Sequence, residues 1–193
     1  MIDAQKTGDE MEIQNIAVAL KILESSPEFA LIIPEVRTNL VMSKISPDSM
    51  EDVVGVPGRI TVVHGKPKTC ANPDYGVSSH MARLILSIMK YDPDKRSAMN
   101  MKYDPLLVEI CQKLGLVVSY YDRNDEPPEL RDKEGGTIPW GVETAVERVD
   151  RVPDIIYHTG GWGKEPSIVI IGENAVEVVK TAICIAKLYK ERI

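Results

Sequence analysis

Asp154-Ile-Ile-Tyr-His158 and Ile168-Val-Ile-Ile171 are two short apolar runs, joined by Gly160-Gly-Trp-Gly-Lys-Glu-Pro166 and followed by a helical segment at 173–189. Runs of this length, bounded by glycine and proline, predict two β-strands. The connection between them is too short for a crossover helix, so we expect antiparallel pairing. The helical segment is apolar over a wide face and must be well buried. This stretch therefore predicts a sheet with antiparallel pairing that is covered by helices.

Strands and amphipathic helices alternate through the rest of the chain. The pattern predicts an opening helix at about 10–25 and an α/β body at about 28–193, with no linker that divides the domain. Extended segments are expected at 30–33, 39–43, 60–64 and 116–121. Further helices are expected from Ser79, from Pro105 and over 139–149, with loops at 65–76 and 124–136 and a loop with a helical turn at 46–56. The prediction is an α/β fold with helices on the faces of a mixed sheet.

Composition indicates an ordinary globular chain. Its 193 residues allow one domain that buries roughly 70% of the surface of the unfolded chain. The net charge of −6 argues against a non-specific nucleic-acid binder, which needs a basic face. No apolar run approaches the roughly 20 residues needed to span a bilayer, and the first residues lack a signal-peptide pattern. From this we predict a cytoplasmic protein without membrane or nucleic-acid partners.

Cysteines and histidines form no metal-binding spacing. They stand at Cys70, Cys111, Cys184, His64, His80 and His158, without CxxC, HxH or HExxH patterns. Reduced, mostly buried thiols are expected. His64 and His158 each end a strand, where a surface or hydrogen-bonded histidine is the simpler interpretation. We therefore predict no protein-held metal site.

The segment Gly76-Val-Ser-Ser-His-Met-Ala-Arg83 carries the clearest chemical signal. Ser78 and Ser79 are good helix N-caps, so a helix starts there and its free N–H groups favour anions. His80 and Arg83 lie three residues apart on one face of that helix. Arg59, after Pro57-Gly58, adds a permanently charged fork suited to phosphate. The combination predicts a site for a phosphorylated small molecule, although Arg59 in a surface ion pair and His80 as a plain helix cap remain open.

A second glycine-rich segment, Gly160-Gly161-Trp162-Gly163-Lys164, also has features of a phosphate site. Glycines let backbone N–H groups approach an anion, and Lys164 adds a positive charge. The segment is not a P-loop, because Glu165 and Pro166 follow the lysine and a strand comes next. A three-glycine turn between strands is the alternative interpretation.

Three more polar residues stand where ligands bind in α/β folds. Asp122 and Arg123 end a strand beside a charged loop. Asn100 is a polar residue between Met99 and Met101, where its amide can bind backbone or ligand. None of the three identifies a function by its residue type alone.

Taken together, these motifs resemble the ThiN-type thiamine-phosphate synthase domain of archaea and some bacteria. The resemblance runs from about residue 10 to 190. It rests on Pro57-Gly-Arg-Ile60, Gly76–Arg83, Ala98-Met-Asn100, Asp122-Arg123, Trp140-Gly141, Pro153-Asp154 and Gly160–Pro166. It implies a three-layer α/β/α fold with a mixed sheet, similar to class II aldolase-like (AraD-like) domains. The HxH zinc pair of those aldolases is absent, so the fold does not bring their chemistry with it.

The resemblance also implies an activity and its residues. The family joins hydroxymethylpyrimidine diphosphate to hydroxyethylthiazole phosphate, giving thiamine phosphate and pyrophosphate. Its essential arginine and histidine fall on Arg59 and His80. Substrate-binding roles are expected for the remaining motif residues: Gly58, Ser78, Ser79, Arg83, Asn100, Asp122, Arg123, Gly160, Gly161, Trp162, Gly163 and Lys164. We expect Mg²⁺ bound with the pyrophosphate, and no organic cofactor.

Two related roles stay open at this stage. Family domains occur fused behind a hydroxymethylpyrimidine phosphate kinase, and related domains serve as thiamine-phosphate sensors of regulators. Retention of Arg59 and His80 favours enzyme over sensor. A metal-dependent sugar-phosphate aldolase or epimerase is a third alternative. Fold relatives often assemble, so a homo-oligomer is expected.

Overall fold

A computed structural model describes residues 4–131, 135–161 and 163–193. Within these residues the helices are α1 (Ala4–Glu24), α2 (Ser79–Ile88), α3 (Pro105–Lys113), α4 (Pro128–Arg131), α5 (Thr137–Glu147) and α6 (Ala175–Lys190). The strands are β1 (Leu40–Ser43), β2 (Val53–Gly55), β3 (Ile60–Val63), β4 (Lys66–Thr69), β5 (Asp74–Tyr75), β6 (Ser97–Lys102), β7 (Val118–Tyr120), β8 (Ile155–His158) and β9 (Ser167–Gly172).

Seven of the described strands form one sheet in the order β5-β2-β1-β6-β9-β8-β7. β7 and β8 pair in parallel, and the other neighbours pair antiparallel. β3 and β4 form a separate two-stranded hairpin. The mixed sheet is as predicted, and so is the antiparallel pairing of β8 with β9.

Helices cover both faces of the sheet. One apolar cluster joins α1, α3 and α6 to inward side chains such as Met99, Ile168 and Ile170. A second cluster joins α2 and α5 to Ala98, Ile156 and other side chains of the opposite face. Successive strand residues point to opposite faces, which is why neighbours in β6 belong to different clusters. The three-layer α/β/α architecture is therefore confirmed.

The predicted extended segment at 30–33 is wrong. Residues Pro27–Ile32 form a 3₁₀-helix instead. Phe29 and Ile32 are both fully buried, three residues apart, as the 3₁₀ repeat requires. Pro27 starts this turn, and residues 34–38 therefore connect a 3₁₀-helix, not a strand, to β1.

The loops predicted at 65–76 and 46–56 contain strands. β4 has the polar sequence Lys-Pro-Lys-Thr, which hides its pairing with β3. His64 and Gly65 both have positive φ, at 48° and 74°, as a tight hairpin turn requires. β5 forms a short edge strand, and β2 follows a 3₁₀ turn at Met50–Asp52. The helical turn within 46–56 was correctly predicted.

β6 is the main element that the sequence pattern missed. Its residues Ser97–Lys102 pair with β1 on one side and with β9 on the other. Polar residues interrupt its apolar ones, so the stretch has no clear strand signature. This strand places Asn100 in the middle of the sheet.

Candidate active site

A cavity of about 260 Å³ lies between the sheet and helices α2 and α5. Met81 and Leu84 of α2 form one wall, and Ile138 and Val142 of α5 form the other. All four side chains are buried. We call this space the apolar cavity.

Neighbouring strands form the floor of the apolar cavity. Val169 of β9 stands opposite Asn100 of β6 on one side and opposite Ile156 of β8 on the other. In the next row, Ser167 stands opposite His158. Because side chains alternate along a strand, these residues share one face of the sheet. The row of Ser167 and His158 is the polar end of an otherwise apolar floor.

A second cavity, of about 430 Å³, adjoins the first and is lined mainly by polar groups. We call it the polar cavity. It includes Gly58 and Ser79, and it shares Val36, Asn39, Arg59, Ser78 and His80 with the apolar cavity. The shared residues make the two cavities parts of one site, with Arg59 and His80 at the junction.

A tight turn presents Arg59. The Arg59 N–H donates to the Val56 carbonyl at 3.0 Å, and Gly58 and Arg59 have φ of 74° and 69°. A side chain at Gly58 would meet the Cβ of Cys70 at 2.8 Å, so this position requires glycine. The Arg59 guanidinium donates to the Val36 carbonyl. Its exposed side chain is thereby directed to the junction.

His80 lies in the first turn of α2. Ser78 is the N-cap residue, but its hydroxyl makes no capping hydrogen bond. The first N–H groups of the helix are therefore not satisfied by this side chain and can bind an anion. Desolvation by the surrounding protein, and then the positive charge of Arg59, lower the pKa of His80, with smaller effects of Arg83, Lys164 and Arg123. The ring still reaches solvent, and the lowered pKa favours the neutral form of His80.

Arg123 is held by a buried carboxylate. Its guanidinium lies 3.4 Å from Glu126, whose side chain is 3% exposed and also accepts from the Thr137 hydroxyl. Arg123 and Lys164 both line the apolar cavity. With Arg59 they make this cavity electropositive, although the chain as a whole carries a net charge of −6.

His158 has a defined proton position. Its Nδ1 accepts a hydrogen bond from the Gly160 N–H at 3.2 Å, so in the neutral ring the proton is on Nε2. Desolvation, with the charge of Arg123 and the nearby His80, lowers the pKa of His158 to about 4. The ring also packs at 5.1 Å, centroid to centroid, from that of Tyr121. His158 is thus a hydrogen-bonded histidine, as predicted, but one that faces the cavity.

The glycine-rich segment is a tight turn between β8 and β9. Gly161 and Lys164 exchange backbone hydrogen bonds of 3.1 and 3.0 Å, and Gly160 donates to His158. Gly160 has φ of 88°, and a Cβ there would lie 2.7 Å from the Lys164 carbonyl. The N–H groups of Gly160 and Gly161 are therefore engaged in the turn, and the Lys164 side chain lines the apolar cavity, where its ammonium can meet an anion. Gly163 is exposed in the same turn, and Trp162 lies outside the described residues.

Arg83 and Asp122 lie away from the two cavities, and the predicted residues Gly160, Gly161 and Gly163 line neither of them. Arg83 lines a separate surface cavity with Gly135 and Trp140, and acts on His80 only through its charge. The Asp122 carboxylate accepts from the Asn124 N–H and caps a 3₁₀ turn. Asn100 does line the apolar cavity, but its amide bonds to backbone, accepting from Asn39 and donating to Arg37.

Five polar residues that line the apolar cavity were not among the predicted site residues. These are Asn39, Tyr121, His158, Glu165 and Ser167. His158 and Ser167 are cross-strand neighbours, which the sequence could have indicated once the β8–β9 hairpin was placed. Asn39 and Tyr121 depend on contacts with distant segments, and nothing local in the sequence identifies them.

Metal and membrane features are absent from the described residues. Within residues 4–131, 135–161 and 163–193, no three His, Cys, Asp or Glu side chains are grouped to hold a metal ion. Over the same residues, every helix is too short or too polar to cross a bilayer.

Comparison with known proteins gives one family match. The model of the family "Thiamine-phosphate synthase ThiN" matches residues 15–183. The protein named thiamine-phosphate synthase ThiN from Methanothermobacter thermautotrophicus is 52% identical over 180 residues, covering 93% of this chain and 95% of that protein. The bifunctional thiamine biosynthesis protein ThiDN from Methanocaldococcus jannaschii is 39% identical over 93% of this chain, but the match covers only 42% of that longer protein.

Solved structures give the same picture of the fold. The C-terminal domain of a phosphomethylpyrimidine kinase superposes with a TM-score of 0.85 at 41% identity, over 90% of this chain and 97% of that domain. L-Fuculose-1-phosphate aldolase from Thermus thermophilus superposes with a TM-score of 0.50 at 11% identity, over 94% of this chain and 96% of that one. The second likeness concerns the fold alone, which is aldolase-like as predicted.

Proposed function

The chain belongs to the thiamine-phosphate synthase ThiN family, as its motifs predicted, and on this premise we propose how its site carries out the synthase reaction. The enzyme joins hydroxymethylpyrimidine diphosphate to hydroxyethylthiazole phosphate and releases pyrophosphate. One observation carries the assignment of the site: Arg59 and His80 meet where the apolar and polar cavities join. A diphosphate in the polar cavity and a ring in the apolar cavity place the bond between them at this junction.

The reaction breaks one bond and forms another at the pyrimidine methylene. The carbon–oxygen bond to the diphosphate breaks, and its electron pair leaves with pyrophosphate. The thiazole nitrogen lone pair forms the new carbon–nitrogen bond. The amino-pyrimidine ring delocalises positive charge at the methylene, so a dissociative route is chemically reasonable.

Arg59 and the start of α2 stabilise the departing pyrophosphate. The guanidinium gives a fixed charge where negative charge develops, and it costs no reorganisation during the reaction. The first N–H groups of α2, beside Ser78 and Ser79, add donors and a partial positive charge. The anion-site residues predicted from the sequence thus have a joint role.

His80 acts as a neutral hydrogen-bond donor in this proposal. Its lowered pKa keeps the ring uncharged near neutral pH. A neutral imidazole can donate its N–H to the leaving oxygen without first changing its protonation state. Because His80 is neutral, Arg59 supplies the positive charge at the junction.

Lys164 and Arg123 hold the phosphate of the thiazole substrate. Both line the apolar cavity, and Arg123 is kept in place by Glu126. Anchoring this phosphate brings the thiazole nitrogen towards the methylene, which lowers the entropic part of the barrier.

A Mg²⁺ ion fits one carboxylate in the site. Among the described residues that line the two cavities, Glu165 is the acidic one. Mg²⁺ typically binds one or two carboxylates together with substrate phosphates. Glu165 would hold an ion that arrives with the diphosphate, and the ion would supply charge neutralisation. An association with a hydroxymethylpyrimidine phosphate kinase domain, a homo-oligomeric state and a cytoplasmic location remain predictions.

Product formation from the two proposed substrates tests the function. Purified protein with Mg²⁺ should form thiamine phosphate, and Arg59→Ala should lower kcat about a hundredfold, equivalent to about 3 kcal/mol. His80→Ala should lower kcat by a comparable factor. Formation of product by Arg59→Ala within about threefold of wild type would contradict the role of Arg59.

The same experiment separates the enzyme from a sensor. A sensor would give no product but would bind thiamine phosphate in a titration. A sugar-phosphate aldolase would give no product and would carry zinc on metal analysis.

A further inference from the structure

We propose that His158 and Ser167 recognise the aminopyrimidine ring of the first substrate, in the apolar cavity, through its ring nitrogen and amino group. This inference rests on the proposed function and extends it to the identity of the ring and of the residues that select it. It concerns the polar end of the apolar floor, which neither the family motifs nor the anion-site argument includes.

The polar side chains of the apolar cavity are mostly engaged elsewhere. The amides of Asn39 and Asn100 bond to backbone groups of neighbouring segments. Asn39 and Asn100 therefore shape the cavity and have little capacity left for a ligand. Burial raises the pKa of the Tyr121 hydroxyl to about 12, and the neighbouring positive charge of Arg123 acts against that rise.

His158 and Ser167 differ from Asn39 and Asn100. The Gly160 N–H occupies Nδ1 of His158, so its Nε2–H is the free donor. Within the described part of the chain, neither this N–H nor the Ser167 hydroxyl has a side-chain or backbone partner. The two residues stand opposite each other in the β8–β9 register and line the same cavity. A ligand edge that meets this pair meets one fixed donor and one hydroxyl that can accept or donate.

The surroundings of the pair select an uncharged flat ring. Ile156 and Val169 adjoin it on the floor, and Met81 and Val142 stand on the walls. Lys164 and Arg123, which hold the thiazole phosphate in the proposed function, line another part of the same cavity, and the diphosphate lies beside Arg59 in the polar cavity.

The chemistry of the two substrates decides which ring this is. The thiazole nitrogen is the nucleophile, and its lone pair must stay free to attack the methylene. An imidazole N–H bonded to that nitrogen would block the reaction. The aminopyrimidine ring has a ring nitrogen that accepts beside an amino group that donates, which matches His158 and Ser167. A neutral His158 also adds no positive charge against the cationic character that develops on this ring.

Two amide substitutions at one position provide the test. His158→Asn keeps an acceptor near the position of Nδ1 for Gly160 but removes the donor towards the cavity. His158→Gln places its amide N–H near the position of Nε2 and retains that donor. Ser167→Ala removes the second group. His64→Asn is the matched control, because His64 is exposed in the β3–β4 turn.

KM for each substrate is the first measurement, with thermal unfolding to verify that each variant is folded. His158→Asn should raise KM for hydroxymethylpyrimidine diphosphate about fivefold to tenfold, as expected for one neutral hydrogen bond. In His158→Asn, KM for the thiazole phosphate should stay within twofold of wild type. In His158→Gln, KM for hydroxymethylpyrimidine diphosphate should lie nearer the wild-type value. Ser167→Ala should raise KM for hydroxymethylpyrimidine diphosphate, as His158→Asn does. A change confined to the thiazole phosphate, equal losses in both amide variants, or no change would overturn the proposal. The synthase function would stand in each of these cases.

Direct binding keeps the inference testable if the wild type forms no product. The probe is the unphosphorylated alcohol, hydroxymethylpyrimidine, titrated calorimetrically into wild type, His158→Asn and Ser167→Ala. Weaker binding by both variants supports the recognition of the ring even if the synthase function fails. Equal binding by all three proteins, or none by wild type, overturns it.

Discussion

Arg59 is one of four described non-glycine residues with positive φ, together with Arg37, His64 and Asp150. Its φ of 69° lies in the region that favours glycine, and for other residues this conformation costs about 1–2 kcal/mol. The conformation is imposed from both sides: Arg59 closes a turn with Val56, and the next residue, Ile60, exchanges two backbone hydrogen bonds with Thr38. The surrounding structure thus maintains a strained residue whose side chain the site needs.

Substitutions at position 59 should separate backbone strain from side-chain function. Arg59→Gly and Arg59→Ala both remove the guanidinium, so both should lose activity. Arg59→Gly should be more stable than Arg59→Ala by about 1 kcal/mol in urea unfolding, because glycine adopts this φ without strain. Arg151 is exposed and does not have a positive φ. At this position the glycine variant should be no more stable than the alanine variant in urea unfolding. Equal stabilities at position 59 would contradict the strain.

Protonation of His158 should destabilise the fold in acid. Its pKa is lowered from 6.5 to about 4, so between these values the unfolded chain binds more protons than the folded one. The stabilising contribution of the neutral ring is fully present above pH 6.5 and is lost as the pH falls towards 4. Urea midpoints at pH 7 and pH 4.5 should therefore differ more for wild type than for His158→Gln, which does not titrate. If the urea midpoints of wild type and His158→Gln change equally between pH 7 and pH 4.5, the lowered pKa of His158 is contradicted.

At the scale of elements, one buried residue, Asn39, connects three strands through its side chain and its backbone N–H. Asn39 precedes β1 and is 3% exposed. Its Oδ1 accepts from the Val56 N–H at 2.9 Å, just after β2, and its own N–H donates to Asn100 in β6. Because Val56 begins the turn that ends at Arg59, Asn39 also holds in place the turn that carries the arginine of the proposed mechanism.

Truncation of Asn39 should affect stability and activity together. Asn39→Ala leaves the buried N–H and carbonyl of Val56 without these partners, which should cost about 3 kcal/mol. Activity should fall even at a temperature where the variant stays folded, because the Arg59 turn loses its anchor. Asn174→Ala is a matched control: it removes the N-cap of α6 at a cost of about 1 kcal/mol and should leave kcat unchanged. Full activity in folded Asn39→Ala would show that the turn holds its position without Asn39.

At the scale of the whole molecule, a buried ion pair fastens the opening helix to the sheet. Arg96, just before β6, lies 3.1 Å from Glu12 of α1, with side chains 17% and 5% exposed. Arg96 also donates to the Ser43 carbonyl at the end of β1, and Glu12 accepts from the hydroxyl of Tyr75 in β5. The pair thus links the first helix to three strands that are far apart in sequence.

Loss of the arginine should be costly, and loss of both charges less so. Arg96→Met leaves the Glu12 carboxylate buried without its cation, which should cost about 3 kcal/mol in thermal unfolding. The double variant Glu12→Gln/Arg96→Met should recover part of that loss, since no unpaired charge is left inside. Glu12→Gln is the second single variant. If the stability loss of the double variant equals the sum of the losses in Arg96→Met and Glu12→Gln, the two charges are not coupled.

Local sequence determined the elements with a clear period and the residues with distinctive chemistry. The amphipathic helices, the β8–β9 hairpin and the Ser78–His80 helix start follow from spacing and capping, which act over a few residues. Arg59 and His80 were predicted because a fixed cation and a helix start favour phosphate wherever the fold places them. The family resemblance then supplied the architecture that these local signals could not.

Tertiary structure alone decided how the parts of the site meet. β6 has no strand pattern of its own and becomes a central strand because β1 and β9 satisfy its backbone. The segment at 30–33 has strand-like residues but forms a 3₁₀ turn, because Phe29 and Ile32 are both buried in the core. The anchoring of Arg59 depends on Asn39, which bonds to Val56, 17 residues further along the chain. Such features arise from contacts between distant segments, and no local preference encodes the position of a partner that is far away in the chain.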